Sequence, residues 1–152
     1  MPFRVLKIFP CLAMAALLSG CVSSRFAPPR GVTPHKAVMV TTAYCNCGDC
    51  CGWEYSRFGL GPPVYKSGPS KGKPKEIGRT ASGEKARRGT LAADPSVPFG
   101  TVVYIPGYGY GRVEDRGGAI RGNKLDLWFP SHQAAKSWGR QTLTVTIWPS
   151  QK

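Results

Sequence analysis

Two carboxylates stand eleven positions apart in the stretch Glu114 to His132, EDRGGAIRGNKLDLWFPSH. Asp115 precedes a run holding three glycines and Asn123, residues that turn a chain tightly and let backbone approach a ligand. Asp126 lies in Leu125-Asp126-Leu127-Trp128-Phe129, where strand alternation puts Asp126 and Trp128 on one face and Leu127 and Phe129 on the other. A carboxylate inside an alternating strand, beside an indole, needs a reason, because an unpaired charge is costly in a core. It reads as a site. A third carboxylate, Asp94, stands before Pro95, where it serves either that site or an ordinary turn. His132 is read as helping to start a helix.

The elements that must position these residues are short and mostly strands. Ala37–Tyr44 is β-branched and bounded by turn formers. Gly89–Pro95 reads as a short buried strand ending in a turn, and Thr101–Pro106 as another strand. Gly107–Gly111 makes a hairpin into Arg112–Asp115, and Thr142–Trp148 alternates Thr with apolar residues. Ser131 can cap one short helix, Gln133 to Trp138, ended by Gly139. Residues 54–78 show no period and carry Lys66, Lys71, Lys73 and Lys75, so they read as a basic loop insertion. A second basic cluster, Lys85, Arg87 and Arg88, follows. The expected fold is mainly β, a small closed barrel in one domain over residues 37–150. The chain lacks a P-loop, a Rossmann glycine pattern, an HExxH motif and a Ser-His-Asp constellation.

The N-terminus sets the location. Arg4 and Lys7 form a positive region, and the apolar run Ile8–Leu18 is too short to span a bilayer, which needs about 20 residues. Leu18-Ser19-Gly20-Cys21 resembles the lipobox of bacterial lipoproteins, which implies cleavage of residues 1–20 and acylation of Cys21. Val22 after the Cys, rather than Asp, implies the periplasmic face of the outer membrane if the host envelope has two membranes. Residues 22–36 are rich in Pro and Ser and read as a flexible tether reaching about 20 Å, with His35 solvated in it. The formal charge of +13 favours anionic partners: acidic wall polymer, lipid headgroups or nucleic acid. Export and the absence of a basic–aromatic platform argue against nucleic acid. For an exported chain, Cys45, Cys47, Cys50 and Cys51 mean disulfides or a metal site, with three possible pairings. One zinc held by all four would need the adjacent Cys50 and Cys51 to converge on it, whereas zinc sites more often use two separated pairs. Structural disulfides are therefore the expectation, with metal and free thiols as alternatives.

Thr42-Ala43-Tyr44, Thr80-Ala81-Ser82-Gly83 and the whole stretch 89–147, from GTLAADPSVPFG through VEDRGGAIRGNKLDLWF to TVTI, together resemble the 3D domain. That family is named for three aspartates, matched here by Asp94, Asp115 and Asp126. It is similar to the catalytic barrel of the membrane-bound lytic transglycosylase A group, a double-psi β-barrel related to expansins. The resemblance implies a six-stranded double-psi β-barrel with one short helix and long loops. It implies that Asp126 is the catalytic acid/base with Asp115 and Asp94 in support, and that Thr42, Tyr44, Thr80, Ser82 and Trp128 contact sugar. The implied substrate is the peptidoglycan glycan strand, cleaved between N-acetylmuramic acid and N-acetylglucosamine with a 1,6-anhydro product. No cofactor or metal is implied for the chemistry, and a monomer is expected. DRGG stands where DTGG is usual, placing Arg116 beside Asp115 as a cation expected to hold that carboxylate ionised. The rival reading is an expansin-like module that binds wall glycan without cutting it.

Overall fold

The computed structural model describes residues 26–151. The lipobox with Cys21 lies outside the described residues. Six strands close into a barrel in the order β1-β7-β4-β6-β5-β8. They are β1 (His35–Tyr44), β4 (Thr90–Ala93), β5 (Val102–Ile105), β6 (Gly109–Asp115), β7 (Lys124–Trp128) and β8 (Gln141–Trp148). The pairs β1–β7 and β4–β6 are parallel, and the other four junctions are antiparallel. Closure leaves no unpaired barrel edge. Among the described residues, no helix is long and apolar enough to cross a membrane.

Alternation fixes which face of each strand is inward. Leu125 and Leu127 of β7, Met39 of β1, Leu91 and Ala93 of β4, Val103 and Ile105 of β5, Val113 of β6 and Val145 of β8 fill one core with Phe129. Helix α2 (His132–Trp138) closes one end, with Ala135 buried and Trp138 packed against Phe129 and Tyr108. Ser131 caps α2 by accepting the Ala134 N–H, and Gly139 ends it at φ 66°, as the sequence predicts.

Three expectations change. The tether is shorter than residues 22–36: β1 starts at His35, which pairs with Ile147, and Lys36 pairs with Thr146. Phe26 is 9% exposed and lies under the guanidiniums of Arg87 and Arg112, so the chain is already docked before the barrel begins. Residues 54–78 are not structureless. Trp53–Tyr55 (β2) and Pro63–Tyr65 (β3) form a two-stranded antiparallel sheet, their pattern hidden by prolines and by brevity. A second helical turn, α1 (Gly48–Cys51), carries part of the cysteine cluster, where one helix was expected.

Candidate active site on the outer face of the barrel

Register brings the site together. Thr42 of β1 stands opposite Asp126 of β7, and Asp126 stands opposite Ala92 of β4. On the other side of β4, Ala92 pairs with Asp115 of β6. The strands flanking β4, β7 and β6, therefore hold the two carboxylates on either side of one buried alanine, whose small side chain leaves space for both. The pairing skips a residue between Leu91 and Ala92. Without that bulge, strict alternation would send Asp115 toward the core once Glu114 faced out; an irregular step re-aims a side chain in this way.

The two carboxylates have different surroundings. Asp115 accepts three hydrogen bonds: Tyr44 Oη–H to Oδ2 (2.8 Å), Ala81 N–H to Oδ1 (2.9 Å) and its neighbour Arg116 N–H to Oδ1 (2.8 Å). Three donors suit the anion. Asp126 receives one donor among the described residues, the Thr42 hydroxyl on Oδ1 at 2.7 Å. Burial raises the Asp126 pKa above the usual carboxylate range; the Thr42 hydrogen bond acts against this and the Asp115 charge adds to it. Burial and the adjacent Asp115 also raise the Tyr44 phenol well above its usual range, so it remains a donor. One carboxyl is thus primed to carry a proton and the other is held in place by three donors, an arrangement suited to acid–base chemistry.

The remaining predicted residues fall in varied places. Trp128 is on the face of Asp126, but its indole N–H is committed to Asn46 Oδ1 (2.8 Å), so it offers a ring and no donor. Thr80 is buried in its own turn, where its hydroxyl accepts the Glu84 N–H (3.1 Å) and lies 3.1 Å from Ser82 Oγ. What this Thr-Ala-Ser-Gly turn presents to the site is the Ala81 backbone amide. Asp94 ties loops: Oδ1 accepts Ser96 N–H and Oδ2 accepts Gly122 N–H, both at 2.8 Å, and hydrogen bonding from the Ser96 side chain together with these two amides holds its pKa down at about 2. The Arg116 guanidinium donates to Val97 O (2.7 Å) and to the Asp115 main-chain carbonyl (3.1 Å) and stacks on Phe99 at 4.0 Å, so its hydrogen bond to the Asp115 carboxylate comes from its backbone. Beside Asp115 opens a cleft of about 370 Å³, lined by Tyr65, Lys75, Arg79 and Arg116 among others. The basic insertion therefore forms one wall of the site.

Sequence reasoning missed several partners. The Ala81 and Arg116 amides are backbone groups and leave no residue signature. Ala92 becomes visible only through register. Glu114, 2% exposed, is held by Arg112 (2.6 and 2.9 Å), Arg87 (3.5 Å) and Thr90 (2.9 Å), a buried structural pair beneath the site. The four cysteines are free thiols, Cys45 Sγ and Cys50 Sγ lying 3.8 Å apart, which departs from the disulfide expectation. His132 does open α2, and its Nδ1 also lies 3.4 Å from Cys47 Sγ.

Comparison with known proteins matches residues 89–149 to the family model of the 3D domain, from the start of β4 through β8. The cell wall-binding protein YocH of Bacillus subtilis is 47% identical over 58 residues, covering 38% of this chain and 20% of that protein. YabE of the same organism, named for cell wall shaping, is 40% identical over 75 residues, covering 46% of this chain and 18% of that protein. The chain thus spans about a fifth of the length of these relatives. Among solved structures, MltA from E. coli matches at 22% identity with a TM-score of 0.38, over 49% of this chain and 29% of that one.

Proposed function

We propose that this protein is a cell-wall enzyme that cleaves peptidoglycan glycan strands without water, as a lytic transglycosylase. The observation that carries the reading is the state of Asp126: half-buried, raised in pKa, bonded on one oxygen by Thr42 and, among the described residues, without a donor on the other. Cleaving a glycosidic bond needs a proton on the leaving oxygen and a nucleophile at the anomeric carbon. Hydrolases normally divide these tasks between two carboxyl groups. When the muramyl C6 hydroxyl is the nucleophile, one carboxyl suffices. Asp126 gives its proton to the leaving oxygen, then takes the C6 hydroxyl proton as the C6 oxygen closes on C1. The 1,6-anhydro ring forms, the glycosidic bond breaks, and Asp126 ends protonated as it began.

The surroundings support that cycle. Asp115, fixed by three donors, raises the proton affinity of Asp126 and favours the positive charge that develops at the anomeric carbon. Trp128 supplies a flat face for a sugar ring. Lys75, Arg79 and Arg116 around the adjoining cleft suit the carboxylates of muramyl lactyl groups and stem peptides. No cofactor is required by this chemistry. Acylation at Cys21 would hold the enzyme to the envelope membrane, within a short tether's reach of the wall, as a monomer.

A second reading, glycan binding without cleavage, is favoured by the matching segment of the relative named as a cell wall-binding protein. One experiment separates them. Purified sacculi are incubated with the wild-type chain and with Asp126→Asn, and soluble products are identified by mass spectrometry. Products ending in 1,6-anhydromuramic acid, absent with the variant, support the transglycosylase. Reducing-end muramic acid would mean a hydrolase with another carboxylate still to be found. Tight pelleting of both proteins with no soluble product would mean a binding module.

A further inference from the structure

Beside the site, three sulfurs and one imidazole converge from two separate parts of the chain. Cys45 follows Tyr44 at the end of β1, Cys47 and Cys50 flank the start and body of α1, and His132 begins α2. His132 Nδ1 lies 3.4 Å from Cys47 Sγ and 3.5 Å from Cys50 Sγ, and Cys45 Sγ lies 3.8 Å from Cys50 Sγ. All four ligand atoms fall within 4.8 Å of one another. A tetrahedral zinc, bonded at about 2.3 Å to sulfur and about 2.0 Å to nitrogen, places its ligands roughly 3.8 Å apart for sulfur pairs and roughly 3.5 Å for sulfur–nitrogen pairs. The observed separations agree with both. A disulfide would instead bring two sulfurs to about 2.0 Å.

We infer that Cys45, Cys47, Cys50 and His132 bind one thiophilic divalent metal, zinc in kind, as a closed structural site. The fourth cysteine is the one left out. Cys51 Sγ–H donates to Cys45 O at 3.1 Å, away from the cluster, so adjacent cysteines need not converge on one ion. His132 takes the place that sequence reasoning would have given to Cys51. A Cys₃His set is soft enough to select zinc over magnesium, calcium or manganese. Binding releases the three thiol protons to solvent, and His132 coordinates as neutral imidazole through Nδ1. Cys47 N–H already points at Cys45 Sγ (3.5 Å), a contact that suits a thiolate.

The site would act as a clasp. It joins the end of β1, which carries Thr42 and Tyr44, to the start of α2, 82 residues beyond Cys50. Between the ligands, Asn46 holds both indoles: its carbonyl accepts Trp53 Nε1–H and its side chain accepts Trp128 Nε1–H, each at 2.8 Å. The metal therefore fixes the loop that orients Trp128 beside Asp126, and touches neither carboxylate.

The test is metal stoichiometry of the full chain, purified with reductant, by elemental mass spectrometry, followed by replacement with cobalt. One zinc per chain, and cobalt absorption with sulfur charge-transfer and intense tetrahedral bands, is expected. Cys47→Ser and His132→Ala should each weaken cobalt binding by at least the roughly 100-fold that losing a mere second-shell partner can cost. Cys51→Ser should keep full stoichiometry, as should Asp126→Asn, whose glycan cleavage is lost; the metal site and the active site are thereby scored apart. If a ligand variant fails to fold, chelation of the wild type should lower its melting temperature and zinc should restore it. The inference is overturned if the reduced wild type takes up no stoichiometric metal. It is equally overturned if Cys51→Ser loses the metal while His132→Ala retains it.

Discussion

Thr42→Val tests the proposed proton-carrying role of Asp126 with the least disturbance to the barrel. Valine keeps the shape of threonine and removes the hydroxyl that donates to Asp126 Oδ1 at 2.7 Å. That bond favours the charged form: a hydrogen bond to an ionised acceptor contributes about 1.5–3 kcal/mol, against about 0.5–1.5 kcal/mol for a neutral one. Its loss therefore raises proton affinity by about 1–1.5 kcal/mol, or close to one pH unit. In the proposed mechanism cleavage needs Asp126 protonated, so the wild-type rate should fall as pH rises through its pKa. In Thr42→Val that alkaline limb should move about one pH unit higher. Asp115→Asn removes the charge that raises Asp126 and should move the same limb lower. The assay is the initial rate of soluble glycan release from sacculi across pH, with melting temperatures recorded for each variant. A general loss of rate with the limb unmoved would reduce Thr42 to a packing or substrate contact. Limbs shifting in one direction for both variants would refute the assignment of Asp126.

Other consequences follow from the same geometry. Asp94 has a folded pKa of about 2, below its ordinary 3.8, so its carboxylate stabilises the fold above that ordinary value and the contribution fades as pH falls toward 2. The melting-temperature gap between wild type and Asp94→Asn should accordingly be open at neutral pH and close in acid. Phe26→Ala should cost about 1.5–3 kcal/mol in denaturant unfolding, the value of a buried aromatic side chain, and should speed tryptic cleavage at Arg30. Glu114→Gln leaves Arg87 and Arg112 without their shared carboxylate. Both arginines keep contact with water, so a loss of about 3 kcal/mol, at the low end for a broken buried pair, is expected in the same measurement.

The strands were legible where alternation was clean. Thr142–Trp148, Thr101–Pro106 and Leu125–Phe129 each announced an inward apolar set, and Ser131 with Gly139 bounded a helix by local chemistry alone. Asp126 was legible for the same reason: a charge in an alternating strand breaks the pattern. Its partners were less so. Thr42 and Asp126 are 84 positions apart and meet through parallel pairing, which carries no turn signal to mark the register. Asp115 reaches the outer face through an irregular step opposite Leu91 and Ala92 that no residue type encodes. Phe26 in a Pro-rich segment offered no period, because its burial rests on two arginines from distant strands and loops. The cysteines were legible as a cluster, but their fourth companion was not, since His132 and Cys50 are joined only by the way α2 folds back over β1.

The balance of charge around Asp126 follows from where the cations are held. A chain of net charge +13 would be expected to pull every carboxylate toward ionisation. At this site the nearby cations are directed elsewhere. Arg116 is engaged by the Val97 and Asp115 main-chain carbonyls and the Phe99 ring, and Lys75 sits 4.3 Å over the Tyr65 ring. Arg87 and Arg112 are absorbed by Glu114. The charge acting on Asp126 is negative, from Asp115. Phe99, Tyr65 and Glu114 thus engage nearby cations, while burial and the Asp115 charge keep the proton affinity of Asp126 high. A strongly basic surface and a carboxyl of raised proton affinity coexist because aromatic faces and one buried glutamate separate them.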